Sequence, residues 1–138
     1  RAAGPRLLDA CRQIKGCPTG SAVMTKAFDL EGQGVKAVIH AVGPVWKGGR
    51  YAEDDLLQGA YRAALRLADQ AGMASVGLPA VSTGVYGFPV DRAANLAMEV
   101  AIEALSTANA LRRVVFVLYD VRSYEAFDEA LDAAIGGA

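Results

Sequence analysis

From Val35 to Val42 the chain is apolar at both odd and even positions, with Val35, Val38, Ile39 and Val42 on either side of an extended backbone. A strand of that kind has no solvent face and needs a packing layer on each side. The stretches around it supply such layers. Asp54 to Ala71 carries Leu57, Tyr61, Ala64, Leu65 and Ala68 as one helical stripe, closed by Gly72. Ser75 to Leu78 reads as a short strand, and Val90 to Ser106 as a helix on Leu96, Ala97, Val100, Ala101, Ala104 and Leu105. Val114 to Tyr119 is an unbroken β-branched and aromatic strand, and Asp120 to Ile135 a last helix on Tyr124, Phe127 and Leu131. Upstream, Pro5 to Lys15 forms a short helix with proline in its first turn, and Ser21 to Phe28 a strand broken by Glu31-Gly32-Gln33-Gly34.

Strands that alternate with helices imply an α/β sandwich with helices on both faces of the sheet. The sheet is expected to be mixed, because the strands Ser21–Phe28 and Val35–Val42 are joined too tightly for a helical crossover. No linker, repeat or low-complexity tract interrupts the pattern, so residues 1–138 form one domain.

Composition narrows the function classes. The formal net charge is −1 and the basic residues are scattered, which argues against tracking along nucleic acid. No apolar run approaches the roughly 20 residues that span a bilayer. Two cysteines, Cys11 and Cys17, make no disulfide framework and suit reduced thiols in a cytoplasmic protein. The single histidine, His40, lies inside an apolar strand and reads as a core residue with a satisfied hydrogen bond; no metal site is expected. The run Glu53-Asp54-Asp55 suits the first turn of a helix. The glycine pattern at Gly32–Ala37 precedes a strand, whereas a dinucleotide turn must follow one.

The stretch Pro79–Pro89 is the most informative. It leaves a buried strand and enters a helix, the place where open α/β sheets collect ligands. Gly84 and Gly87 bring backbone amides close to a ligand, and the next helix adds its positive dipole end. A diphosphate can be cradled there without lysine, with hydroxyls from Ser82 and Thr83 and a ring from Tyr86 against a sugar. An ordinary strand-to-helix connection with two turn glycines fits the same residues. Tyr119 offers a stacking face at the end of its strand. Asp120 reads as a helix N-cap or as a ligand contact. Trp46 reads as a lid residue or as an anchor of the Gly43–Arg50 loop.

Four segments together carry a resemblance: Ala2-Ala3-Gly4-Pro5-x-Leu7-Leu8-x-x-Cys11; Gly16-Cys17-Pro18-Thr19-Gly20-x-Ala22; Val38-Ile39-His40-x-Val42-Gly43-Pro44-Val45-Trp46; and Pro79-Ala80-x-Ser82-Thr83-Gly84-Val85-Tyr86-Gly87-Phe88-Pro89. They resemble the macro domain family, in its MacroD-type ADP-ribosyl hydrolase branch. The resemblance covers nearly the whole chain, in order. It implies a three-layer α/β/α sandwich around a mixed sheet, with no cofactor. It implies that Ser82, Thr83, Gly84, Val85, Tyr86 and Gly87 wrap the diphosphate and distal ribose of ADP-ribose, with Tyr119 and Asp120 near the adenosine. The implied activity is hydrolysis of ADP-ribose esters, on mono-ADP-ribosylated proteins or O-acetyl-ADP-ribose. The alternative is a non-catalytic reader of ADP-ribose, or an inactive fragment. The family's catalytic Asp belongs to a Gly-rich loop expected upstream of Arg1, so no catalytic residue is assigned within the 138 residues.

Overall fold

A computed structural model describes residues 1–14 and 16–136. Helix α1 (Pro5–Gln13) begins with proline at its first position and stops where Ile14 turns extended (φ −77°, ψ 116°). The expected extension to Lys15 lies outside the described residues. Strand β1 (Ser21–Lys26) pairs antiparallel with β2 (Ala37–Val42), in register from Ser21 opposite Val42 to Lys26 opposite Ala37. The sequence pattern overextends both strands. Phe28 takes a positive φ of 52° and opens a 3-10 turn over Phe28–Gln33, which lifts it out of β1. Gly34, left-handed at φ 84°, ends that turn, and the chain becomes strand again only at Ala37.

Helix α2 (Glu53–Gln70) buries Leu57, Ala60, Tyr61, Ala64, Leu65 and Ala68, the apolar stripe of its sequence. Strand β3 (Ser75–Leu78) then pairs parallel with β4 (Arg113–Phe116). Helix α3 (Val90–Thr107) buries mostly small residues, Ala93, Ala94, Ala97 and Ala101, which lets α2 and α4 (Val121–Gly136) pack closely against it. Adjacent residues of β2 show the layering. Ile39 packs into the core beneath α2, while its neighbour His40 faces Cys11 of α1. Successive side chains of a strand point to opposite faces. Helix α1 therefore covers one face of the first pair and α2 the other.

One expectation needs correction. The strand expected over Val114–Tyr119 ends at Phe116, apart from one further bond of 2.8 Å from the Val117 amide to the Leu78 carbonyl. Its partner β3 stops there because Pro79 has no N–H to continue the ladder. Val117 and Tyr119 are consequently exposed. Both pairing senses of the expected mixed sheet are present, antiparallel in β1–β2 and parallel in β3–β4, as two strand pairs. A cavity of about 740 Å3 lies between the pairs, lined by Val38 and Ile39 on one side, by Val76 and Leu78 on the other, and by Tyr61 and Met73. No helix among the described residues is long and apolar enough to cross a membrane.

Candidate functional site

The carboxyl ends of β2, β3 and β4 gather at one edge, and three connections leave from it. The first is Gly43–Ala52, the second Pro79–Pro89, the third Val117–Asp120. Tyr61, buried in α2, ties the second connection to the helix layer. Its hydroxyl donates to the Pro79 carbonyl at 3.0 Å and accepts the Val81 amide at 2.9 Å. Burial pushes that hydroxyl's pKa up, so it stays a neutral donor.

Beyond Val81 the loop closes on itself. The Phe88 amide donates to the Ser82 carbonyl and the Gly87 amide to the Gly84 carbonyl, both at 3.0 Å. Phe88 is buried and pins the loop to the core. Between these closures the amides of Gly84, Val85 and Tyr86 donate to no acceptor among the described residues. They lie on an exposed turn just before the amino end of α3. Unpaired amides in sequence, next to a helix start, make an anion-binding concavity.

The glycines of this loop do different jobs. Gly87 has φ 72°, a conformation that only glycine adopts freely. Gly84 is not left-handed, and a Cβ there would meet nothing within 4 Å. Its missing side chain leaves room beside the amides. Ser82 has a feature that the sequence does not show. It takes φ 67°, and its Oγ is buried with no hydrogen-bond partner among the described residues. That oxygen abuts Gly43, where a Cβ would collide with it. Ser82 therefore braces the loop against the end of β2 and holds a strained conformation, a feature that clusters at binding sites. Thr83 is also turned inward, its hydroxyl donating to the Ala80 carbonyl at 2.9 Å. The Ser82 hydroxyl is thus buried and the Thr83 hydroxyl engaged within the loop, while the donors open at the loop's surface are backbone amides. Val85 is fully exposed and Tyr86 about half exposed, so the Tyr86 ring is available to a ligand.

Tyr119 and Asp120 reach the same edge, although no hydrogen bond or ring contact joins them to the loop among the described residues. Tyr119 is fully exposed, with its ring faces open. Asp120 accepts the Ser123 amide at 2.8 Å and thus caps α4. That bond holds its carboxyl below the ordinary range. His40 is half-buried, with Thr25 Oγ1 at 2.9 Å and Cys11 Sγ at 3.9 Å from its Nε2, as expected of a core histidine.

Trp46 is an anchor. Its ring meets Phe88 at 4.8 Å between centroids, and its amide donates to the Tyr86 carbonyl at 2.8 Å. The Arg92 guanidinium lies 5.3 Å from the same ring. Glu53, which in sequence looks only like a first-turn acid, has a further role that sequence reasoning missed. It is 2% exposed, and its carboxylate accepts the amides of Lys47 and Gly49 at 2.9 Å and of Tyr51 at 2.6 Å. Burial alone would raise its pKa, but the amides outweigh burial and hold it at about 2.

A pH dependence follows. Hydrogen bonds from the amides of Leu111, Ala110 and Asn109 likewise depress Asp69, so Glu53, Asp69 and Asp120 all titrate lower in the fold than in the unfolded chain. Their stabilisation is complete above the unfolded value, 4.5 for Glu53, and is lost as pH falls towards about 2. The melting temperature is expected to be flat above about pH 5 and to drop steadily below it. A melting temperature unchanged down to pH 2.5 would contradict this assignment.

The sequence that builds this loop lies within a match to a known family model. The macro domain model aligns with residues 1–97. The chain belongs to the macro domain family. An O-acetyl-ADP-ribose deacetylase of Escherichia coli K12 is 48% identical over 135 residues, covering 95% of this chain and 75% of the relative. A macro domain-containing protein of Caldanaerobacter subterraneus is 43% identical over 136 residues, covering 96% of this chain and 75% of that protein. Among solved structures, the Oceanobacillus iheyensis macrodomain with ADP superposes with a TM-score of 0.90 at 34% identity, over 99% of this chain and 74% of that one. The Trypanosoma brucei macrodomain in complex with ADP-ribose gives 0.84 at 34% identity, over 94% of this chain and 53% of its own. The macro domain fold, with α1 on one side of the strands and α2–α4 on the other, is thereby established for this chain.

Proposed function

We propose that this macro domain binds ADP-ribose at the shared carboxyl edge of β2, β3 and β4. The observation that carries the reading is the run of unpaired amides at Gly84, Val85 and Tyr86, open to solvent beside the start of α3. They suit a diphosphate, whose charge needs donors rather than a net positive protein. Gly84 leaves room for the phosphates, Tyr86 can lie against the distal ribose, and Tyr119 offers a ring to the adenine. The relatives support the same ligand, since one neighbour is solved with ADP-ribose and another with ADP.

The chemistry proposed is that of the deacetylase relatives: hydrolysis of an ester on ADP-ribose, with O-acetyl-ADP-ribose or a mono-ADP-ribosylated acidic side chain as substrate. Such hydrolysis needs a base to activate water, typically worth 10²–10⁴-fold. Three acids near this edge are engaged: Asp120 with Ser123, Asp54 with Arg92, and Glu53 with three amides. Within residues 1–138 the proposal assigns the binding loop and no catalytic base. The engagement of these three acids also favours the second reading, a reader that holds ADP-ribose without cleaving it.

Retention of radiolabelled O-acetyl-ADP-ribose on a size-exclusion filter tests the proposal. The ester is expected to stay with the protein and to be released by excess ADP-ribose. Ester that passes through freely, with the protein folded, would contradict it.

A further inference from the structure

The connection Gly43–Ala52 is a strap whose order depends on one side chain. Glu53, at the first position of α2, reaches back and gathers the amides of Lys47, Gly49 and Tyr51. Ala52 just before it is left-handed, at φ 59°, which folds the strap over the carboxylate. The strap's amino end carries Trp46. That residue is held on several sides: by Phe88, by the Arg92 guanidinium, and by Gly49, where a Cβ would come within 3.0 Å of the indole. Arg92 is fixed in turn by a bidentate pair with Asp54, at 2.7 and 2.6 Å. From Trp46 the chain of contacts passes directly to the phosphate loop, through the bond to the Tyr86 carbonyl and the packing on Phe88.

The Tyr86 carbonyl accepts the Trp46 amide of the strap and no amide of its own loop. Ser82 and Gly84 carbonyls close the loop internally, whereas Tyr86 is tied only to the strap. The peptide that is tied lies next to the unpaired amides of Val85 and Tyr86. Moving Trp46 would therefore move the amides assigned to the diphosphate.

We infer that Glu53 and Trp46 are positioning residues for ligand binding: the Glu53 carboxylate orders the strap, and the strap's Trp46 sets the Ser82–Gly87 loop in its anion-binding shape. This rests on the ADP-ribose reading for its ligand, but the mechanical coupling between strap and loop does not. A buried carboxylate that only stabilised α2 would give the fold without tuning the loop. A carboxylate that orders the strap should change both.

The substitution Glu53→Gln keeps the shape and places an amide NH2 against backbone donors. Its effect is read by amide hydrogen exchange without ligand and by ADP-ribose titration, both well below the melting temperature. Glu129→Gln, an exposed change on α4, is the control. Exchange is expected to quicken at Lys47, Gly49 and Tyr51, and also at Gly87 and Phe88, which touch neither Glu53 nor each other's acceptors. ADP-ribose affinity should fall about tenfold. Trp46 is the single tryptophan, so its emission should shift to the red as the strap loosens. Trp46→Leu, which leaves the Glu53 hydrogen bonds intact, should reproduce the quicker exchange at Gly87 and Phe88 and the weaker binding.

Unchanged exchange at Gly87 and Phe88 in both variants would overturn the inference, even if the melting temperature fell. If the unsubstituted protein does not bind ADP-ribose, the functional reading fails by itself, and the exchange data still decide the coupling. If Glu53→Gln does not fold, Trp46→Leu decides it alone.

Discussion

Gly84→Glu is expected to weaken ADP-ribose binding by about a hundredfold or more while leaving the melting temperature nearly unchanged, since a like charge forced against a bound group costs several kcal/mol. The separation of the two effects comes from local geometry. Gly84 has an ordinary φ, and a Cβ there would meet nothing within 4 Å, so the fold tolerates a side chain. The same open space is where the account puts the diphosphate. A carboxylate there repels the phosphates and occupies their room. Gly84→Ala, which adds bulk without charge, should lose less. The contrast is Gly87, whose φ of 72° strains any side chain, so that substitution there confounds folding with binding. Calorimetry and thermal melts on the Gly84 variants check the prediction. Equal ADP-ribose affinity in a folded Gly84→Glu protein would remove the loop from the binding site.

Phe127→Ala is expected to destabilise the domain by about 3–5 kcal/mol. For a domain of this size that is a fall in melting temperature of about 10–20 °C. Phe127 is 2% exposed and anchors α4 to the parallel pair through Phe116, with ring centroids 5.0 Å apart. Phe116 in turn meets Tyr61 of α2 edge-on at 6.1 Å. This aromatic row joins two helices across β4. The cavity that alanine leaves cannot be refilled cheaply, because Ala126 and Ala130 are the other buried residues of α4. Thermal denaturation followed by circular dichroism measures the effect. A shift of only a degree or two would mean that α4 contributes little to the core.

Much of this architecture is legible in the sequence because periodicity reports burial. The stripes Leu57–Ala68 and Ala97–Ala101 become the buried faces of α2 and α3, and the strand Ser75–Leu78 keeps its bounds. Ends are less legible, because they depend on what the neighbouring strand offers. Nothing in Val114–Tyr119 shows that its partner stops at Leu78, and nothing in Ser21–Phe28 shows that Phe28 turns left-handed. The site divides in the same way. The Pro79–Pro89 loop stands out through its glycines and its place between strand and helix. Glu53 does not, since an acid in a first turn looks the same whether it faces solvent or gathers three amides of a preceding loop. The sequence offers Ser82 as a hydroxyl, and its backbone strain and buried oxygen appear only in three dimensions.

The central claim is that the unpaired amides of Gly84–Tyr86 recognise a diphosphate, and a calorimetric comparison of ADP-ribose, ADP and AMP tests it most directly. Binding of ADP-ribose and ADP at least about tenfold tighter than AMP, a difference of about 1.4 kcal/mol or more, is the predicted result. AMP binding as tightly as ADP-ribose, or a folded chain that binds none of the three, would contradict it.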